Sequence, residues 1–188
     1  MHHYDYVVVG AGSAGSALAN RLSESGKFTV CLLEAGGSDK KFWVQMPLGY
    51  GKVFHDPSVN WRYMTEPEPN LDNQSIYWPR GKVLGGSSSI NAMVWVRGHK
   101  RDYDEWNSVA PGWGWNNVQK IFNRIENWDG TSNISRGTNG PQPVHDVSSD
   151  VHPLTISYLK AASQVGIKTN ADYNGQNMEG STCYQIST

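Results

Sequence analysis

Three glycines, at positions 10, 12 and 15, stand between an apolar run and an amphipathic one, and they constrain this chain more than any other feature. Tyr4 to Val9 is rich in β-formers and ends on consecutive apolar residues, as expected for a strand covered on both faces. After Gly10-Ala-Gly12-Ser-Ala-Gly15, residues Ala17, Leu18 and Leu22 recur at helical spacing until Ser25-Gly26 stops the helix. Thr29 to Leu33 reads as a second strand, closed by Glu34-Ala35-Gly36-Gly37. Strand, helix and strand in roughly thirty residues make a βαβ unit. Its crossover is right-handed and its strands are parallel.

A GxGxxG pattern alone is a weak signal. Here it follows a strand, opens a helix, and has Glu34 19 positions beyond its last glycine. In that setting Gly10 permits the tight turn, Gly12 lets backbone approach a pyrophosphate, and Gly15 lets helix and strand pack closely. The phosphates would sit at a helix N-terminus, where N–H groups and the macrodipole favour anions. Glu34 can accept hydrogen bonds from ribose hydroxyls, and its charge would repel a 2′-phosphate, which disfavours NADP. The context also disfavours a glycine turn without a ligand.

Charge and composition remove several other classes. Sixteen Lys and Arg against 17 Asp and Glu give a net charge of −1, with no basic block able to neutralise a run of phosphates. Nucleic-acid binding is not expected. Val83 to Val96, the longest fairly apolar stretch without a formal charge, is broken by glycine and serine and too short to span a bilayer. Cys31 and Cys183 lack the spacing of a zinc or redox pair, and no signal peptide precedes the strand at Tyr4, so the expected compartment is the cytoplasm, with peripheral membrane association left open.

From Ser38 to Pro79 regular periodicity disappears, and Trp43, Tyr50, Phe54, Trp61, Tyr63 and Trp78 are interspersed with prolines. An ordered aromatic loop or lid region, 38–79, is expected to lie across something. Helical patterns return over Asp102 to Val109, Asn116 to Trp128 and Pro153 to Val165. The stretch Asp129 to Pro143, rich in Gly, Asn, Ser and Thr, reads as a boundary or hinge.

A second constellation is Arg80-Gly-Lys-Val-Leu-Gly85-Gly86-Ser87-Ser88-Ser89-Ile90-Asn91-Ala92-Met93-Val94. Adjacent glycines, hydroxyls and an asparagine suit backbone lying against a flat polar ligand. An ordinary turn followed by a strand from Ala92 to Val96 fits these residues equally well. No G-x-S-x-G occurs there, so a serine hydrolase has little support.

The segments Tyr6-Val-Val-Val-Gly-Ala-Gly-Ser-Ala-Gly15, Leu33-Glu-Ala-Gly36 and above all Gly81-Lys-Val-Leu-Gly-Gly-Ser-Ser-Ser-Ile-Asn91, continuing through Arg97-Gly98 to Asp104, resemble the glucose-methanol-choline (GMC) oxidoreductases. The resemblance covers nearly the whole chain and is strongest to the bacterial choline-dehydrogenase and alkanol-dehydrogenase branch, through Met46-Pro47, Asn60-Trp61 and Trp78-Pro-Arg-Gly81. It implies an α/β fold: a Rossmann-like FAD-binding domain over residues 1–145, with an incomplete parallel sheet, and the beginning of a substrate-binding domain over 146–188. It implies FAD, with Ser13 and Ala14 at the pyrophosphate beside Gly10, Gly12 and Gly15. Glu34 and Ala35 would meet the adenosine ribose, and Val83, Gly86 and Ser87 the middle of the cofactor. Asn91, Ala92 and Val94 would lie beside the isoalloxazine, with Met93 also among the cofactor-binding residues. Some relatives join flavin to a histidine where this chain has Ile90, so non-covalent FAD is expected.

The implied chemistry is hydride transfer from an alcohol carbon to flavin N5, assisted by a histidine base. That base belongs to a C-terminal part absent from these residues, and no catalytic residue is assigned among His55, His99, His145 and His152. A surface or capping role suits each histidine. No metal site is expected. The expected partners are FAD, a small alcohol and the remaining C-terminal polypeptide, as a cleaved piece or separate subunit. Other readings are an NAD-dependent dehydrogenase on the same βαβ unit, a non-catalytic flavin-binding fragment and, within the family, a cyanohydrin lyase.

Overall fold

The computed structural model describes residues 2–131 and 134–188. The chain forms two compact units, Met1–Ala92 and Met93–Thr188.

The first unit opens with the βαβ motif. β1 (Tyr6–Val9) pairs in parallel with β2 (Val30–Leu33), from Tyr6↔Val30 to Val9↔Leu33, and α1 (Ser13–Ser23) makes the crossover. Asp5 fixes the register at the entry, because its carboxylate accepts both Thr29 N–H (2.7 Å) and the Thr29 hydroxyl (2.8 Å). Val8 is buried, yet Val7, Val9 and Leu33 are 57%, 82% and 49% exposed. The expected cover on both faces of β1 is therefore not supplied by the described residues.

Residues 38–79 form short elements rather than one loop. They are α2 (Phe42–Gln45), a 3₁₀ turn (Pro47–Gly49), α3 (Tyr50–Val53), a second 3₁₀ turn (Pro69–Leu71), and a hairpin of β3 (Tyr63–Met64) with β4 (Tyr77–Trp78). The apolar cluster beneath them is made of Val53, Val59, Val83 and Ile90, with Val44 packed against it. Aromatic residues stay at the surface and stack on one another, as Trp61 does on Tyr63 with centroids 5.9 Å apart.

In the second unit, α4 (Lys100–Val109) and α6 (Pro153–Gln164) are capped by histidines. His99 accepts Arg101 N–H and His152 accepts Leu154 N–H, each at 3.2 Å, filling orphan donors of the first turn. α5 (Trp115–Ile125) stops three residues before the expected Trp128, and Glu126–Trp128 form β5 instead. The cause lies outside the segment: β5 pairs in parallel with β6 (Gln142–Asp146), and the fully buried Glu126 carboxylate is held by Arg97 and Arg136. β6 also pairs antiparallel with β7 (Gln185–Ile186), giving a sheet of order β5-β6-β7.

Of the stretch read as a boundary or hinge, residues 132 and 133 lie outside the described residues, and the rest includes residues packed in place. Arg136 is buried against Glu126, and a Cβ on Gly137 or Gly140 would lie 1.9 Å from Asn123 O or 2.1 Å from the Ile125 carbonyl carbon. Those glycines permit close approach of backbones, and glycine composition alone does not distinguish that from a linker. The compact units divide at Ala92/Met93, whereas position 145/146 falls inside β6, which pairs on both sides.

Candidate cofactor site

A cleft of about 530 Å³ in the first unit lies where β1 and β2 end. Of the expected site residues, Gly10, Gly12, Glu34, Ala35 and Gly86 line it, and Val9, Leu33, Trp61 and Gly81 complete its wall. The three glycines of the first motif separate into three physical reasons. Gly10 has φ +95°, a conformation that favours glycine. A Cβ on Gly15 would lie 1.9 Å from Gly10 O and 3.4 Å from Val8 Cγ1, so that glycine is required by helix–strand packing.

Gly12 is required by neither. Its φ of −74° and ψ of −175° suit any residue, and a Cβ there would meet nothing closer than 3.9 Å. It is the N-cap of α1, makes no side-chain cap hydrogen bond, and lines the cleft. That is the geometry of a cradle which a side chain would fill, and it fits a phosphate group at a helix N-terminus.

The second glycine pair is built onto the first motif. Gly85 N–H donates to Ala11 O at 2.8 Å, Gly12 and Gly85 form a parallel bridge, and a Cβ on Gly86 would lie 2.9 Å from Gly12 Cα. Glu34 closes the other side of the turn, accepting Ala11 N–H (2.8 Å) and Gly36 N–H (2.9 Å). Val83 is fully buried in the apolar cluster and does not line the cleft. Ser87 is exposed, and its hydroxyl accepts Gly81 N–H at 3.0 Å. Asn91 and Ala92 are exposed at the end of the first unit, while Met93 and Val94 open the second.

Trp61, named above among the aromatics and in the pair Asn60-Trp61 but not among the cofactor residues, also lines the wall. Its ring is held by the stack on Tyr63 and by Lys82 Nζ, 4.6 Å from the centroid. The buried Asn60 fixes its backbone, accepting both Arg62 N–H and Arg80 N–H at 2.9 Å and donating to Phe54 O at 2.7 Å. The signal in the sequence was the pair Asn60-Trp61.

No histidine lines this cleft. His55 stacks on Tyr77, and His145 lies 2.6 Å from the Asp129 carboxylate. A larger open cleft in the second unit, bordered by Lys100, Arg101, Lys120, Lys168 and several amides, contains none of the expected site residues. Among the described residues no cluster could hold a metal ion, and no helix is long and apolar enough to cross a membrane.

The family model for GMC oxidoreductases matches residues 4–188. The chain belongs to the GMC oxidoreductase family. It is 44% identical over 186 residues to the alcohol dehydrogenase [acceptor] of Pseudomonas putida, covering 98% of this chain and 34% of that protein. It is 48% identical over 177 residues to an oxygen-dependent choline dehydrogenase of Rhizobium etli, covering 94% and 32%. Among solved structures it superposes on pyridoxine 4-oxidase from Mesorbium loti with a TM-score of 0.91 at 32% identity, covering 99% of this chain and 37% of that one. Formate oxidase follows with a TM-score of 0.85 at 26% identity, over 98% and 34%. This GMC oxidoreductase chain thus spans about a third of the length of the curated relatives it matches, and corresponds to the FAD-binding N-terminal region of the family. Membership of a flavoenzyme family sets aside the nicotinamide-dehydrogenase reading of the βαβ unit.

Proposed function

We propose that this chain is the cofactor-binding part of an FAD-dependent alcohol oxidoreductase that acts on CH–OH donors. The observation that carries the reading is Gly12: a helix N-cap whose glycine is demanded by neither backbone nor packing, open to a cleft that Glu34 also lines. In this reading Ser13 and Ala14 bind the pyrophosphate at the start of α1. Glu34 and Ala35 take the adenosine ribose, and Val83, Gly86 and Ser87 meet the middle of the cofactor. Asn91, Ala92, Met93 and Val94 are flavin contacts. Bound FAD supplies the hydride acceptor, and the chain's own residues bind and orient it. In this reading the substrate is a small alcohol, which the names of the alcohol, choline and pyridoxine enzymes among the relatives support.

FAD is held without a covalent bond at position 90, because Ile90 has no nucleophile and is buried in the apolar cluster. The partner is the polypeptide corresponding to the rest of the relatives' length, which brings the proton-accepting histidine. The bare sheet face of Val7, Val9 and Leu33 is apolar surface of the kind such a partner would cover. The test is co-purification with that polypeptide. A yellow protein that oxidises a primary alcohol is expected from the pair and not from the 188 residues alone, whereas alcohol oxidation by the isolated chain, or a colourless pair that takes up no FAD, would overturn the reading.

A further inference from the structure

The open cleft of the second unit has three walls, all within that unit: the start of α4, one face of α5 and the loop 168–179. From α5 it takes Asn116, Gln119, Lys120 and Asn123, whose spacings of three and four set them along one side of the helix over roughly 10 Å at about 1.5 Å per residue, while Val118 is buried. The loop is braced from within. Asn170 Nδ2 donates to Asn177 O (2.8 Å) and Glu179 O (3.2 Å), and Ser181 N–H donates to Lys168 O (2.8 Å). A surface held in this way loses little freedom when something settles on it.

Its charge is unbalanced. Lys100, Arg101, Lys120 and Lys168 border the cleft, are exposed, and form no ion pair among the described residues, and Glu179 is the only acid among the described residues that line it. Helix stability does not account for these cations: Lys100 and Arg101 open α4 and its last turn carries no basic residue, the reverse of what the helix dipole favours. The whole chain has a net charge of −1, so the excess is local to this unit.

The side-chain amides of Asn116, Gln119, Gln176 and Asn177 line the cleft and make no hydrogen bond among the described residues. An amide offers an acceptor as well as donors, which suits peptide groups, whereas a phosphate or sulfate asks only for donors. Size favours a chain segment too. The cleft measures about 1330 Å³, beyond the roughly 300–1,000 Å³ of small-molecule pockets. This chain spans only about a third of its relatives' length, so the completing polypeptide has surface to place against it.

We propose that the cleft is the docking groove for an acidic segment of the polypeptide that completes the enzyme. Carboxylates of that segment pair with Lys100, Arg101, Lys120 and Lys168, and its peptide groups bond the amides of α5 and of the loop. The proposal rests on the reading above that such a polypeptide exists.

The test is carbodiimide coupling of the assembled protein, which joins an ammonium to a carboxylate only where the two are in contact, followed by peptide mass spectrometry. Lys100, Lys120 and Lys168 are expected to couple to Asp or Glu of the completing polypeptide, and this coupling should fade in about 1 M salt, where screening acts within about 3 Å. Amine acetylation should be slower at these lysines than at Lys27, which is exposed in the first unit. Lys120→Glu combined with Lys168→Glu, two exposed side chains without an ion-pair partner among the described residues, should cut the coupling at Lys100 about tenfold while flavin stays bound, because like charges then face each other across the groove. A yellow protein whose cleft lysines acetylate as fast as Lys27, or couple only within this chain or to a second copy of it, would overturn the inference. A protein that shows the coupling but takes up no FAD would instead overturn the function proposed above.

Discussion

Glu34 accepts the backbone N–H of Ala11 at 2.8 Å, so the acidic end of β2 is bonded into the glycine turn that leaves β1. Its second oxygen takes Gly36 N–H. An ionised carboxylate offers about four acceptor positions, which leaves two for ribose hydroxyls. Glu34→Gln turns one oxygen into a donor facing another N–H. We expect a loss of about 1–3 kcal/mol in unfolding free energy and a roughly tenfold weaker affinity for FAD. Urea denaturation and FAD titration measure both, and an unchanged variant would show that the carboxylate has neither task.

Gly12 and Gly15 predict opposite outcomes for the same substitution. Gly12→Ala should cost the fold about 1 kcal/mol or less, because a Cβ there has 3.9 Å of clearance, yet it fills the cradle and should reduce FAD affinity by about tenfold or more. Gly15→Ala drives a Cβ to 1.9 Å from Gly10 O and should cost at least about 3 kcal/mol. Thermal melts and FAD titration of the two variants, side by side, separate a ligand-required glycine from a packing-required one.

Burial alone would raise the Glu126 carboxyl, but the hydrogen bond from Arg136 and the charges of Arg97 and Arg136 hold it below its ordinary value of 4.5. A carboxyl whose folded value lies below its unfolded value gives stability that is fully present above the unfolded value and lost as pH falls through the folded one. The second unit should therefore weaken on acidification below about 4.5. Glu126→Gln should cost about 3–5 kcal/mol at neutral pH, since it leaves two buried guanidiniums uncompensated, and should flatten that acid limb. Urea midpoints at a series of pH values decide the matter, and parallel limbs in wild type and variant would contradict it.

Ile90, 3% exposed, supports the fold and offers the flavin nothing to bond to. Acid precipitation of the assembled protein should leave all the flavin in the supernatant, and yellow colour in the pellet would count against non-covalent binding. Ile90→Ala should cost about 2–5 kcal/mol through the cavity it opens beside Val53, Val59 and Val83.

What could be read from the sequence was local. The βαβ motif, the turn at Gly10, the close packing at Gly15 and the arrival of Glu34 at the turn all depend on spacings within one supersecondary unit. β5 was missed because the helical period runs on through Glu126, while the force that ends the helix comes from Arg97 and Arg136, 29 and 10 residues away in sequence. The burial of Arg136 was invisible for the same reason, since its surroundings are Gly, Ser and Asn. Trp61 belonged to a crowd of surface aromatics, and only the clamp of Asn60 on its flanking backbone distinguishes it.

The exposure of Val9 and Leu33 on a sheet of only two described strands has a consequence for handling the molecule. Open strand edges beside an apolar face recruit whichever strand arrives first, and another copy of the same chain is the nearest supplier at high concentration. These 188 residues produced by themselves should therefore self-associate as concentration rises, whatever the state of the cleft.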